Sequence, residues 1–323
     1  MEFILFRFFA LLSVAFIVSN AAVSSEDYWK SVLPNTPMPK SISELLPSPA
    51  AGGVIDKVSC DKPYGDKKYC AFAAGVITDR YAQNADYGSG NTDYGSGNKR
   101  YDSSASSSKI DGVFYFLQKD LQQGTNMNIH FTKFTTPTPF MPRNLADSIP
   151  FSSKKLPEIL IKFSVKQNTL ASKIMKRTVD ECEAPANKGE EKYCATSLEN
   201  MIDFTTSKLG KKVSAVSTDV EKESKLQKYT ILGIKKLGEK TVVCHKENYA
   251  YAVFYCHNLN NVEAFAVSLV GNDGSKTRAA VICHLNTSSW NPKHIAFQVL
   301  HVKPGSSVSV CHFLERGSVL WVS

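Results

Sequence analysis

One dipeptide, Cys-His, recurs four times in the last third of the chain and fixes what that part can fold into. The copies are Cys244-His245, Cys256-His257, Cys283-His284 and Cys311-His312, separated by 10, 25 and 26 residues. They take four of the 8 cysteines and four of the 7 histidines, so the pairing is not a product of composition. Each copy closes a short run of β-branched, aromatic or small residues: Thr241-Val242-Val243, Val253-Phe254-Tyr255, Ala280-Val281-Ile282 and Val308-Ser309-Val310. Such runs favour strands. Successive side chains of a strand point to opposite faces. Four such strands predict one face of thiols and, behind it, one face of imidazoles.

The residues ahead of the repeats read differently. Residues 1–21 have the form of a signal peptide, with Arg7 ahead of the apolar run Phe8 to Val18 and the small residues Ser19-Asn20-Ala21 behind it. That run is too short to span a bilayer. Removing it leaves a chain expected to be exported, to the extracellular space (apoplast) or a vacuole, with no membrane span. Export favours disulfides over zinc thiolates for an even number of cysteines. Cys60 and Cys70 are expected to pair with each other. Cys182 and Cys194 are expected to join the end of one helix to the start of the next, and Cys244, Cys256, Cys283 and Cys311 to bond among themselves.

Residues 22–111 form a variable N-terminal region. Prolines at 34, 37, 39 and 48 argue against a regular element early in it, although Ser41 to Leu46 suits a single helical turn. A repeat of period 7 follows, in which Asp86-Tyr87-Gly88-Ser89-Gly90-Asn91 returns as Asp93-Tyr94-Gly95-Ser96-Gly97-Asn98. Its Gly and Ser content predicts a coil that presents Tyr87 and Tyr94 as candidate substrate side chains.

From residue 112 the pattern predicts an α+β domain. Strands are expected from Gly112 to Leu117 and from Met127 to Phe134, the latter with His130. Helical spacing then appears in a helix capped by Ser153, another over Leu170, Ile174 and Val179, and a third from Glu190 to Leu209 ended by Gly210. This helical segment, about 153–210, is expected to pack on a mainly antiparallel sheet or barrel formed by about 212–323. Asn272-Asp273-Gly274-Ser275 marks a hairpin turn. Asn286-Thr287-Ser288 is an N-glycosylation sequon at Asn286, and Asn291-Pro292 opens a short helix carrying His294.

The chemistry of the repeats lies with His245, His257, His284 and His312. Imidazole suits copper, zinc, nickel and iron, and four imidazoles without a carboxylate suit Cu(II) or Zn(II). The alternative is four histidines each hydrogen-bonded within a core. The formal charge of +8 fits an acidic polysaccharide or an anionic peptide as partner. No Arg-rich helix or RNA-binding signature points to nucleic acid.

The four Cys-His pairs at these spacings resemble the BURP domain of plant proteins, over about residues 112–323. Arg177-Thr178-Val179-Asp180-Glu181-Cys182, Glu190-Glu191-Lys192-Tyr193-Cys194 and Trp290-Asn291-Pro292-Lys293-His294 resemble its dehydration-responsive branch. Phe114-Tyr115-Phe116 stands where the family has a pair of phenylalanines. The Cys-His set is similar to that of BURP-domain copper-dependent peptide cyclases. Those join a Tyr oxygen or a Trp ring to an unactivated carbon, in a segment of their own chain or in a separate precursor. The resemblance implies copper as cofactor, held by His245, His257, His284 and His312, and a peptide as substrate. Around Thr135-Thr136-Pro137-Thr138-Pro139-Phe140 the chain departs from the self-cyclising pattern, which ends in Trp. Tyr-linked rings at Tyr87 and Tyr94 remain. The competing expectation is a non-catalytic protein of the cell wall or vacuole, tied to drought, salt and abscisic acid responses. A third, partnership with a wall enzyme, rests on the short Tyr-Gly repeats alone.

Overall fold

The computed structural model describes residues 23–47, 108–110, 113–131, 138–186, 190–222 and 226–323. Residues 1–21, where a signal peptide is expected, and Cys60, Cys70, Tyr87 and Tyr94 lie outside them. In chain order the elements open with helices α1 (Ser25–Val32) and α2 (Lys40–Ser43), then strands β1 (Ser108–Ile110), β2 (Val113–Leu117) and β3 (Asn126–Ile129). Helices α3 (Arg143–Ser148), α4 (Leu156–Lys162) and α5 (Leu170–Glu183) follow, then β4 (Glu191–Ala195) and α6 (Leu198–Leu209). The rest is mostly strand: β5 (Ser214–Val216), β6 (Asp219–Val220), β7 (Gln227–Gly238), β8 (Thr241–Glu247), β9 (Val253–Leu259), β10 (Val262–Gly271) and β11 (Lys276–His284). Helix α7 (Ile295–Leu300) precedes the last two strands, β12 (Val310–Phe313) and β13 (Val319–Val322). The fold is therefore α+β, with helices first and an antiparallel β region after them.

The strands form two sheets. The larger runs β1-β2-β12-β11-β10-β7-β3, with β6 on the end of β11; the smaller runs β4-β9-β8-β13-β5. The larger sheet curls until it nearly closes. Phe116 from β2 lies 5.0 Å, ring to ring, from Phe313, and Phe131, just past β3 at the other end of the strand order, lies 5.9 Å from the same ring. Inside the curl sit Tyr229, Val267, Val281 and the Cys283–Cys311 pair, all buried. The outside of the curl meets the smaller sheet. Val243, Leu259, Leu320 and Val322 of the smaller sheet pack there against Val262, Ala264, Ala280 and Ile282 of the larger.

The far face of the smaller sheet carries Val242, Cys244, Phe254, Cys256 and Trp321, covered by Leu198, Met201 and Ile202 of α6. Helices α3, α4 and α5 build a separate cluster around Tyr249, Ala250 and Tyr251. Those three residues lie between β8 and β9, so the gap between the first two Cys-His copies plugs the helical segment into the sheets.

Several boundaries move from the sequence expectation. Glu191–Ala195 is a strand, because it pairs with β9 from Glu191↔Asn258 to Ala195↔Phe254. Its side chains alternate in burial, and the third long helix begins only after Ser197, whose side chain accepts from Asn200 N–H. The Cys182–Cys194 disulfide thus joins a helix end to a strand and does not staple a helical hairpin. Gly210 ends α6 with φ of +78°, a conformation that glycine adopts at little cost. Ser152, not Ser153, provides the cap before α4, through a short 3-10 turn. The strand expected over Met127 to Phe134 ends at Ile129, and the helix near Asn291-Pro292 begins at Ile295 with His294 as its cap. The single turn expected over Ser41 to Leu46 is α2, somewhat earlier.

The largest correction is at the N-terminus. The prolines end a regular element but do not prevent one, since α1 lies ahead of them. Ser24 caps it by accepting from Asp27 N–H, and Glu26 and Asp27 occupy its first turn, where negative charge is favoured. Its Trp29 is buried, 5.3 Å from Trp321, and donates its indole N–H to the Thr36 carbonyl at 2.9 Å. Ser25 donates to Glu199 at 2.7 Å and Tyr28 to Asp203 at 2.5 Å, while Arg143 pairs with Asp203 and lies over the Tyr28 ring. Truncating Trp29 empties a large buried volume beside Trp321 of β13 in the smaller sheet. Trp29→Ala should cost about 3–5 kcal/mol of stability, read as a lower midpoint in urea unfolding.

Candidate functional site

The register explains why cysteines and histidines part company. In β8 and β9, Cys244 stands opposite Cys256; in β11 and β12, Cys283 stands opposite Cys311. Opposed residues of an antiparallel pair share a face, and both pairs close as disulfides with Cα atoms 3.9 Å apart. The cysteines thus bond within a sheet, across neighbouring strands. Each disulfide faces away from the inter-sheet layer, Cys244–Cys256 toward α6 and Cys283–Cys311 into the curl. The next residue in each strand must then face between the sheets, and that residue is the histidine.

Two histidines come from each sheet. The Nε2 atoms of His245 and His257 are 3.3 Å apart. The rings of His284 and His312 stack at 5.6 Å between centroids, with planes 16° apart. The two pairs act on each other electrostatically: a charge on His284 disfavours one on His245, and a charge on His245 disfavours one on His312. Burial is the larger effect. It lowers the pKa values of His245, His284 and His312 to about 3, with neighbouring imidazoles adding to the shift. These three rings are therefore neutral at physiological pH, and each keeps one nitrogen lone pair.

The tautomers follow from the neighbours. His312 Nδ1 lies 3.3 Å from the Phe313 carbonyl oxygen. A carbonyl only accepts, so Nδ1 carries the proton and Nε2 the lone pair. His257 Nδ1 is buried and faces Glu190 Oε2 at 3.7 Å, which favours the proton at Nδ1 and frees Nε2 toward His245.

Aromatic side chains surround the histidines. Trp290 lies 4.8 Å from both His284 and His294, and Tyr115 lies 5.8 Å from His294 and 5.9 Å from His312. With the His284–His312 stack these contacts close a circuit of five rings. Tyr255 adds a sixth aromatic side chain, 5.4 Å from His257. Trp290, Tyr115, Tyr255 and Glu190 were not among the candidate site residues in the sequence. A signal for Tyr115 exists only through pairing, since it stands opposite His312. His294 joins the circuit while its Nδ1 accepts from Ala296 N–H. His301 lies outside the circuit and caps the end of α7 in the left-handed region, at φ of +53°. His130 follows β3.

The residues suit a metal by one geometric test. Two nitrogens bound to one ion by bonds of about 2 Å at a tetrahedral angle lie about 3.3 Å apart, which is the His245–His257 separation. Among the described residues no set of three His, Cys, Asp or Glu side chains stands in a ready-made cage, so the test concerns this pair and the neutral lone pairs beside it.

Residues 114–323 match the family model of the BURP domain. The chain is a BURP-domain protein. It is 41% identical to BURP domain-containing protein 5 of Oryza sativa subsp. japonica over 315 residues, 94% of this chain and 88% of that protein. It is 34% identical to BURP domain-containing protein 2 of the same organism over 327 residues, 97% and 96% of the two chains. With BURP domain protein RD22 of Arabidopsis thaliana it shares 49% identity over 221 residues, 66% of this chain and 56% of that one. The match to RD22 is thus confined to little more than half of that protein. The resemblance drawn from the Cys-His repeats is a family membership.

Two predictions follow from how each dipeptide divides its roles. Losing a native disulfide costs about 2–5 kcal/mol, so Cys244→Ala or Cys283→Ala should lower the unfolding midpoint strongly, whereas His257→Ala should lower it little. Urea unfolding of the metal-free protein checks both.

The second concerns pH. The depressed histidines take up protons on unfolding as pH falls below about 6.5, the ordinary value, and keep doing so until about 3. Stability from them is complete above pH 6.5 and lost on the way down. Glu247, pushed up to about 8 by burial, acts in the opposite sense between about 8 and the ordinary 4.5. The difference between wild type and His284→Asn isolates one imidazole. Between pH 6.5 and 5 the wild type should lose about 1–2 kcal/mol more than the variant, measured by urea unfolding at each pH.

Proposed function

We propose that this BURP-domain protein is an exported, copper-dependent peptide cyclase. It joins a Tyr oxygen or a Trp ring to an unactivated carbon of a peptide carried in its own chain or in a separate precursor. The observation that carries the reading is two imidazole pairs, one from each sheet, the first with ring nitrogens 3.3 Å apart and the second stacked, near enough for charge on one pair to act on the other. His245, His257, His284 and His312 would hold the copper, which supplies one-electron redox chemistry when bound. The three disulfides among the described residues fit the oxidising compartment that the N-terminal apolar run implies.

The chain's own residues do the rest. Burial keeps His245, His284 and His312 neutral, so no proton competes for their lone pairs. Glu190 and the Phe313 carbonyl hold the protons of His257 and His312 on the nitrogens that face away from the shared space. Trp290, Tyr115 and Tyr255 give that space aromatic walls, against which a phenol or indole can lie. Closing the ring forms one bond and breaks two bonds to hydrogen, so two protons and two electrons leave the peptide, and dioxygen would be the terminal acceptor of both. The non-catalytic reading, a stress-linked wall or vacuolar protein, shares every one of these structural features and differs only in having no product.

The test is a mass measurement. Purified protein loaded with copper is incubated in air with a Tyr-containing peptide, and its own 48–107 segment is recovered by proteolysis in parallel. One of the two should be lighter by two hydrogen atoms. His245→Ala, His257→Ala, His284→Ala and His312→Ala should each lower copper content and abolish the mass change while the fold persists. Full copper loading with no change in either peptide would leave the non-catalytic reading.

A further inference from the structure

The larger sheet extends well beyond the smaller one, and what it exposes there is ordered. The face that carries His284, Ile282 and Ala280 on β11 continues through Arg278 and Lys276. On β10 it continues through Ala264 and Ala266 to Ser268 and Val270, and on β7 through Lys235, Gly233, Thr230 and Lys228. Asn126 and Asn128 of β3 complete it, opposite Thr230 and Lys228. Up to Ala280 and Ala264 the smaller sheet covers this face. Beyond them Lys228, Lys235, Ser268, Lys276, Arg278, Asn126 and Asn128 are all exposed.

The geometry points to this face as a binding surface for a linear acidic polysaccharide, a polyuronate that carries one carboxylate per sugar with hydroxyls between. Four cations lie on the outer surface of the curl, on two strands with one strand between them. Strand spacing of about 4.8 Å and a rise of about 3.3 Å per residue set neighbouring cations about 7–12 Å apart. Ser268 and Thr230 stand between them and Asn126 and Asn128 flank them on β3; these short polar side chains both donate and accept, as sugar hydroxyls require. Among the described residues none of the four cations forms an ion pair within 4 Å. Two acids adjoin the face. Asp219 stands opposite Arg278, and Glu221 accepts from the Lys276 backbone N–H. They border the face on the β6 side and leave its centre and the β7 side positive.

The register positions on this face carry no aromatic ring. Stacked bases, which hold single-stranded nucleic acid, have nothing to lie on. A lipid surface would need an apolar insertion by a cluster of large side chains, whereas among the described residues of β7 Leu232 and Ile234 are the only exposed large hydrophobics. On β11, Arg278 is six residues from His284, about 20 Å along the strand, so the surface stands apart from the histidines and does not depend on the proposed chemistry there.

The test uses the full chain and a purified linear polyuronate as the probe, with binding followed by calorimetry at low and at raised salt. Binding should weaken with salt and vanish as pH falls below the carboxylate range near 4. The combined variant Lys228→Gln, Lys235→Gln, Lys276→Gln and Arg278→Gln should bind at least about tenfold more weakly. Its unfolding midpoint should match wild type, because exposed substitutions change stability little. Lys166→Gln with Lys173→Gln, on the helical side, should bind as wild type does, and so should His257→Ala. Undiminished binding by the combined variant would overturn the assignment. So would equal affinity for an uncharged polymer of the same sugars, or for a single-stranded oligonucleotide of matched charge.

Discussion

The two cross-strand disulfides set the terms for the rest of the β region. A bond between opposed cysteines fixes the register of its strand pair at that point. A slip by one residue would turn the histidines into the apolar clusters and the disulfides into the space between the sheets. Because β8–β9 and β11–β12 belong to different sheets, each sheet is pinned separately. What brings the two histidine pairs together is then the apolar layer of Val243, Leu320, Ala264 and Ile282. The alanines at 264 and 280 let the sheets approach beside the histidines. The site therefore depends on local alternation for direction and on sheet packing for distance.

That division explains what was legible in the sequence. Period-two alternation is a property of any strand, so the separation of thiols from imidazoles was readable from four dipeptides. The α+β order was readable for the same kind of reason, since helical and strand periods occupy separate stretches. Which cysteine pairs with which depends on strand order, and strand order places β13 between β8 and β5 and sets β12 beside β2. No local pattern encodes that. The same holds for Tyr115, which reaches His312 only because β2 and β12 are neighbours. Glu191–Ala195 shows the converse failure. Its residues fit a helical period on paper, but pairing with β9 and the tether at Cys194 outweigh a weak propensity. The helix starts instead after Ser197, whose side chain caps it by accepting from Asn200 N–H.

The electrostatics of the site depend on the same enclosure. Three of the imidazoles are kept neutral chiefly by removal from water, and their mutual repulsion adds to it. A protonated pair would be unfavourable there, whereas a cation shared by lone pairs would be favourable. The carboxyl of Glu247, two residues from His245, is likewise held in its uncharged form to about pH 8, with Glu181 and Glu315 adding to the effect of burial. Three imidazoles and the Glu247 carboxyl therefore carry no charge at neutral pH, although they are chemically polar.

The contact between Trp29 and Trp321 bears on how such a chain reaches its native state. It joins a helix near the beginning of the chain to a strand that ends one residue before the chain does. Strand β13 also lies inside the smaller sheet, with β8 on one side and β5 on the other. Neither that sheet nor the first helix can settle until β13 has been made and has joined the sheet. Contacts of such long sequence separation slow folding. In the interval the cysteines are open to premature pairing. The topology thus keeps α1 waiting for β13, so that an early-made helix cannot dock before a strand made much later is in place.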